Sequence, residues 1–121
     1  MMVVSHISKV ISIHEYVLRS GADEKEFEQV LREVQASDLL QLPGLEKYYF
    51  VKGIRGSHCG NYAAVWIYES QEAWEKLWGS IDQPCRACDY PENWKIWEEG
   101  MLAPFLDRDP DKITYTAYES L

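Results

Sequence analysis

His14 is the residue whose type and setting most directly suggest chemistry. It lies in HISKVISIHEY, residues 6 to 16, two positions after Ser12. A neutral imidazole there can take a proton from a phenol or an enol. Trp66 and Tyr68, in NYAAVWIYE, are flat walls on which an aromatic ligand can stack, with Tyr49 as a neighbour from the preceding segment and Arg55 as a carboxylate anchor near the mouth. The alternative is packing alone: a histidine hydrogen-bonded at an interface and aromatic side chains filling a core. His6, at the start of the same row, is expected to be exposed.

Two other clusters imitate metal sites. GSHCG and CRAC would lie at the same end of a sheet, so His58, Cys59, Cys85 and Cys88 could approach as a thiolate-rich zinc set. Adjacent His58 and Cys59 are awkward paired ligands, and one C-x-x-C in a loop is a weak signal beside two such pairs. Free thiols and no metal are the expectation. In DRDPDKITYTAY, Asp107, Asp109 and Asp111 alternate as at the start of a calcium loop, but Lys112 replaces the turn glycine and Tyr118 the bidentate glutamate. That stretch reads as a solvated acidic turn. No phosphate-cradling glycine loop, dinucleotide fingerprint, nucleophile elbow or HExxH pattern occurs.

Regular elements must position these residues. In HISKVISIHEY, His6, Ser8, Val10, Ser12, His14 and Tyr16 share one face of a strand, and Ile7, Ile11 and Ile13 the other. This strand runs to about Arg19. Asp23 followed by Glu26 has capping-box spacing, and Phe27, Val30, Leu31 and Val34 form a helical stripe that ends before LPGL at residues 42 to 45. Strands are predicted over 46–55 and 61–69, joined by the glycine-rich turn around GSHCG. Ser70 caps a helix carrying Trp74, Leu77, Trp78 and Ile81, Pro91 opens a third helical stretch with Trp94, Trp97 and Met101 on one side, and ITYTAYES is a last strand.

This order is βαββαβ with an extra helix before the last strand: an α+β, ferredoxin-like antiparallel sheet in one domain spanning 1–121. The aliphatic face of Ile7, Ile11, Ile13, Ala63, Val65 and Ile67 is expected beneath the helices. The face of His6, Ser12, His14, Tyr62, Trp66 and Tyr68, with the Thr114–Tyr118 row, is then left bare. A second copy would cover it and leave a cleft between the sheets.

The composition narrows the partners. A formal charge of −8 without a Lys/Arg cluster disfavours nucleic acid and anionic lipid. Five Trp and eight Tyr in 121 residues must be placed in a core, an interface or a pocket. Three cysteines are too few for a secreted disulfide framework, and neither a signal-peptide pattern nor a membrane-spanning run is present, so a cytoplasmic protein is expected.

The element order, with LPGLEKYYF after the first helix and VWIYESQEAWEKL across the third strand into the second helix, resembles the dimeric α+β barrel superfamily, including its antibiotic biosynthesis monooxygenase and EthD-like groups. The resemblance implies a homodimer with sheets face to face and a small-molecule cavity in each subunit. It implies activities as varied as cofactor-independent oxygenation of phenols, isomerisation and haem degradation. The haem-degrading branch uses an Asn on the first strand and a late His as iron ligand; this first strand has no Asn, and no His follows His58. The resulting expectation is a cofactor-free, dimeric, small-molecule-binding protein, acting as a monooxygenase or isomerase on an aromatic or hydrophobic substrate through His14. Its rival is a non-catalytic binding or assembly protein whose sheet face is only a dimer interface.

Overall fold

Strand β1 (Val10–Tyr16) forms from the alternating segment VISIHEY in a computed structural model that describes residues 8–121. His6 and Ile7 lie outside the described residues. The chain leaves β1 earlier than the pattern suggests, and beyond Val17 only an isolated bridge between Leu18 and Leu106 continues the pairing. Helix α1 (Glu24–Ala36) begins where Asp23 accepts hydrogen bonds from the backbone N–H groups of Lys25 and Glu26, at 2.8 and 3.3 Å. Its stripe of Phe27, Leu31 and Val34 is buried.

Strands β2 (Leu45–Lys52) and β3 (Tyr62–Tyr68) form the central hairpin. Ser70 then caps α2 (Gln71–Trp78), accepting from Ala73 N–H at 3.1 Å. Helix α3 is one α-helical turn (Glu92–Lys95) continued by a π-helix over Ile96–Leu102, followed by β4 (Tyr115–Glu119). The sheet order is β2–β3–β1–β4 with every neighbouring pair antiparallel. β1 and β2 are thus parallel across β3, and β3 and β4 across β1. These are the two interlocked βαβ units of a ferredoxin-like fold. Among the described residues no helix is long and apolar enough to cross a membrane.

The two faces of the sheet are the reverse of the sequence expectation. Val10, Ser12, His14 and Tyr16 of β1, with Tyr62, Ala64, Trp66 and Tyr68 of β3, pack beneath the helices, and all but His14 are buried. His14 is half-buried. Ile11, Ile13, Ala63, Val65 and Ile67 occupy the uncovered face. Register also divides β4: Tyr115 pairs with His14 and Ala117 with Ser12 on the covered face, whereas Thr116 and Tyr118 fall opposite Ile13 and Ile11.

Burial free energy follows apolar area, and four large aromatic side chains carry more of it than a row of Ile, Val and Ala. The aromatic face therefore takes the helices. Those helices answer with aromatic groups of their own. Trp97 packs on Phe50 with ring centroids 5.3 Å apart, Trp94 meets Trp66 edge to face at 4.9 Å, and Phe27 meets Tyr62 at 5.0 Å. Trp94 and Trp97 are core, as their spacing suggests.

Candidate functional site

Indole and phenol rings are rigid, and where several meet they leave space between their planes. A cavity of about 170 Å³, open to solvent on one side, lies between the covered face of the sheet and the α2–α3 layer. Ser12 and His14 reach it from β1, Tyr68 from β3, Trp74 and Trp78 from α2, Trp94 and Glu98 from α3 and its continuation. Tyr90, Asp111 and Tyr115 complete its polar rim.

Local backbone features set these positions. Gly79 ends α2 at φ 88°, and a Cβ there would lie 2.5 Å from Cys85 N and 2.6 Å from Gln83 O. Only glycine lets the following loop fold back so that Cys85 N–H donates to Trp78 O at 2.8 Å and Cys85 joins the wall. In α3 the π-helical widening lets Trp94, Trp97, Glu98 and Leu102 all turn inward.

The rings interlock. Trp78 meets Tyr90 edge to face at 5.2 Å and Trp94 at 5.1 Å, and its Nε1–H donates to Tyr68 Oη at 3.2 Å. His14 lies 5.9 Å from Trp66, 6.1 Å from Trp94 and 5.7 Å from Tyr115. Its Nδ1 is buried with no hydrogen-bond partner among the described residues. Loss of hydration favours the neutral imidazole and lowers its pKa to about 4.

Glu98 is 7% exposed. Desolvation, followed by the negative charge of Asp111, raises its pKa to about 7 against the opposing Trp94 N–H. The same dry surroundings therefore push two groups of opposite charge type towards their neutral forms. Of the two, Glu98 titrates near neutral pH, the range in which an acid or base can both take and return a proton. Desolvation also raises the Tyr90 phenol to about 12 and pushes the Cys85 thiol up, with Asp89 and Cys88 adding to the latter.

Three of the residues singled out from the sequence meet at this cavity: Ser12, His14 and Tyr68. Trp66 stands behind them, fully buried, as the support on which His14 and Trp94 rest. Tyr49 is not their neighbour: it pairs with Val65 on the uncovered face and is 49% exposed. Arg55 lies beyond the end of β2 in the exposed β2–β3 turn, away from the cavity lining.

Glu98 was missed, although it falls four residues after Trp94 on the same helical stripe, and that position was the available signal. The suggested thiolate cluster does not assemble. His58 Nε2 lies 3.4 Å from Glu15 Oε1, on the uncovered side of the sheet, whereas Cys85 is on the covered side. Among the described residues no group of three or more His, Cys, Asp or Glu side chains could hold a metal ion. The acidic turn is local structure: Asp109 accepts from Asp111 N–H at 3.1 Å and Asp107 pairs with Arg108.

No protein-family model matches the chain, and no curated protein sequence matches it. Solved structures do. A dabb family protein with a ferredoxin-like fold from Mesorhizobium loti MAFF303099 is 10% identical, with 94% of this chain and 96% of that chain covered at a TM-score of 0.57. A dimeric ferredoxin-like protein of unknown function from Thermobifida fusca YX is 14% identical over 99% and 97% of the two chains, TM-score 0.53. A protein provisionally named an antibiotic biosynthesis monooxygenase, from Bacteroides thetaiotaomicron VPI-5482, is 12% identical over 93% and 88%, TM-score 0.52. The chain has the ferredoxin-like α+β fold found in dimeric α+β barrel proteins. At these identities the likeness extends to the fold and no further.

Proposed function

We propose that this protein binds one ring-sized, mainly hydrophobic molecule in each subunit, between sheet and helices, and handles a proton on it without a cofactor. One observation carries the reading. A cavity of about 170 Å³, walled by tryptophan and tyrosine, holds a carboxyl and an imidazole that are both displaced towards their neutral forms. That volume is comparable with an apolar cavity that takes benzene, so a single ring fits within it and a fused polycycle would extend through its open side.

Glu98, titrating near neutrality, is the proton donor and acceptor. His14 is an uncharged hydrogen-bond partner for a phenol or enol oxygen, with Ser12 beside it and Tyr68 in the wall. Isomerisation or cofactor-independent oxygenation of a small enolisable ring is the reaction class this arrangement serves best.

Dimerisation belongs to the other face. Ile11, Ile13, Ala63, Val65, Ile67 and Tyr49 form a largely apolar sheet surface without a helix on it, and the Thermobifida fusca protein of the same fold is dimeric. Pairing two such faces makes a homodimer whose interface carries no chemistry.

Phenol and 1-naphthol, titrated against the protein and followed by tryptophan fluorescence and the His14 ring resonances, test the binding reading. Phenol binding with no gain in affinity for the larger naphthol is expected. Absence of any response to phenol, or equal binding in a Trp94→Ala protein that remains folded, would refute it. Native mass spectrometry tests the dimer, and Val65→Asp should convert it to monomer.

A further inference from the structure

We propose that the cavity is a cage for an organic cation, a small quaternary or tertiary ammonium group held by aromatic faces with Glu98 as its counter-charge. The inference deepens the binding reading above and rests on it.

The charge inventory of the wall is one-sided. Glu98 and Asp111 line the cavity, while among the described residues neither lysine nor arginine does. Glu98 is more than nine-tenths buried and makes no salt bridge among the described residues. Lys95, three residues earlier on the same helix, borders a smaller hollow that Glu98, Asp109 and Asp111 also line, but forms no ion pair with Glu98. Its Nζ donates to Cys88 O at 2.6 Å and lies 3.9 Å from Glu92. The remaining titratable groups in the wall are His14, Cys85 and the phenols of Tyr68, Tyr90 and Tyr115, and burial favours the neutral forms of His14, Cys85, Tyr68 and Tyr90.

The rest of the wall supplies the partner interaction. Trp74, Trp78 and Trp94 with Tyr68, Tyr90 and Tyr115 offer π-systems, whose negative faces attract a cation over their centroids. A carboxylate or phosphate ligand would meet two carboxyl groups and no positive charge. An ammonium group would restore to Glu98 the compensation that burial removes. The chain's formal charge of −8 favours the approach of the same ligands.

Choline and its uncharged isostere 3,3-dimethylbutan-1-ol separate charge from shape. Both are titrated at pH 8 against the full chain and its Glu98→Gln variant, by calorimetry or tryptophan fluorescence. Choline should bind about tenfold tighter than the alcohol, and Glu98→Gln should erase most of that ratio while leaving the alcohol's affinity within about twofold. Retained alcohol binding also shows that the variant is folded. Should Glu98→Gln lose both probes, Asp111→Asn on the exposed turn supplies the same comparison, with a reduced choline-to-alcohol ratio expected.

Equal or tighter binding of the alcohol, or a ratio unchanged in the variant that retains binding, overturns the cation assignment and leaves the ring-sized cavity reading standing. If phenol, choline and the alcohol all fail to bind, both readings fall together.

Discussion

Replacing Glu98 by glutamine should make the protein more stable above neutral pH and at most slightly less stable in mild acid. In the folded chain the carboxyl titrates at about 7, against an ordinary 4.5. A raised folded pKa means that the native state holds the proton more tightly than the unfolded chain. Stability attributable to this group is therefore present below pH 4.5, declines as pH rises, and is lost by the time the folded group has ionised. The interval corresponds to about 3 kcal/mol at about 1.4 kcal/mol per pH unit. Glutamine is neutral throughout and avoids that penalty.

A lost or rearranged hydrogen bond at the cavity could offset about 1 kcal/mol of the gain. The expected result is thus about 2 kcal/mol of added stability at pH 8.5 and a loss of no more than about 1 kcal/mol at pH 4.5. Urea unfolding of both proteins at the two pH values, analysed by linear extrapolation with matching m-values, measures it. His14 titrates in both proteins and largely cancels from the difference. A Glu98→Gln protein that gains nothing between pH 4.5 and 8.5, or is less stable at the higher pH, would show that the carboxyl is ordinarily hydrated and would remove the argument for a dry site.

The same reasoning has the opposite sign for His14. Its folded pKa is depressed to about 4 from 6.5, so the stability it contributes is complete above pH 6.5 and declines as pH falls towards 4. His14→Asn should flatten that part of the stability curve, and ring-proton chemical shifts that titrate near 6.5 would contradict it. Gly79→Ala places a Cβ at positive φ against Cys85 and Gln83, and should cost about 1–3 kcal/mol while loosening the cavity wall, seen as lost phenol affinity. Trp97→Ala, removing a fully buried indole from against Phe50, should cost about 3–5 kcal/mol in urea unfolding. By contrast, Tyr118→Ser on the uncovered face should alter monomer stability by less than about 1 kcal/mol but weaken dimerisation.

Element order, both helix caps and the central hairpin were legible because each depends on local chemistry: Asp23 and Ser70 at helix starts, Pro43–Gly44 and the glycines around His58 at turns. The side on which the helices dock was not legible. Strand alternation tells which residues share a face, but both faces here carry apolar groups, and the choice falls to the area and shape of the side chains packed from above. Reading Ile and Val as interior and Tyr and Trp as interface inverted the sheet. Register, not the inversion, separates Tyr49 from Trp66 by setting it opposite Val65, while Ser12, His14 and Tyr68 stay together because they share the parity that alternation determines. Arg55 was misplaced for another reason: β2 stops at Lys52, and the longer turn carries Arg55 into solvent. Glu98 escaped because WEEG reads as a solvated helix end unless the chain locally adopts a wider helix, and that depends on tertiary packing.

The inverted sheet changes the relation between packing and chemistry. Had the imidazole stood between two subunits, proton chemistry would depend on dimerisation, and a monomer would lose both. With His14 and Glu98 under the helices of their own chain, each subunit holds a complete cavity, and the aliphatic face is free to serve association alone. A monomerising substitution such as Val65→Asp should then reduce activity only through stability, with ligand affinity per subunit retained. The carboxyl makes the arrangement asymmetric. In a domain whose net stability is about 5–15 kcal/mol, an ionised Glu98 opposes folding by about 3 kcal/mol. No Lys, Arg or His among the described residues forms a salt bridge with Glu98. A proton or a positively charged guest would offset that cost, so ligand binding and proton uptake at this site compete. A cationic ligand must therefore lower the apparent pKa of Glu98, and its binding at pH 7 must release protons to the buffer.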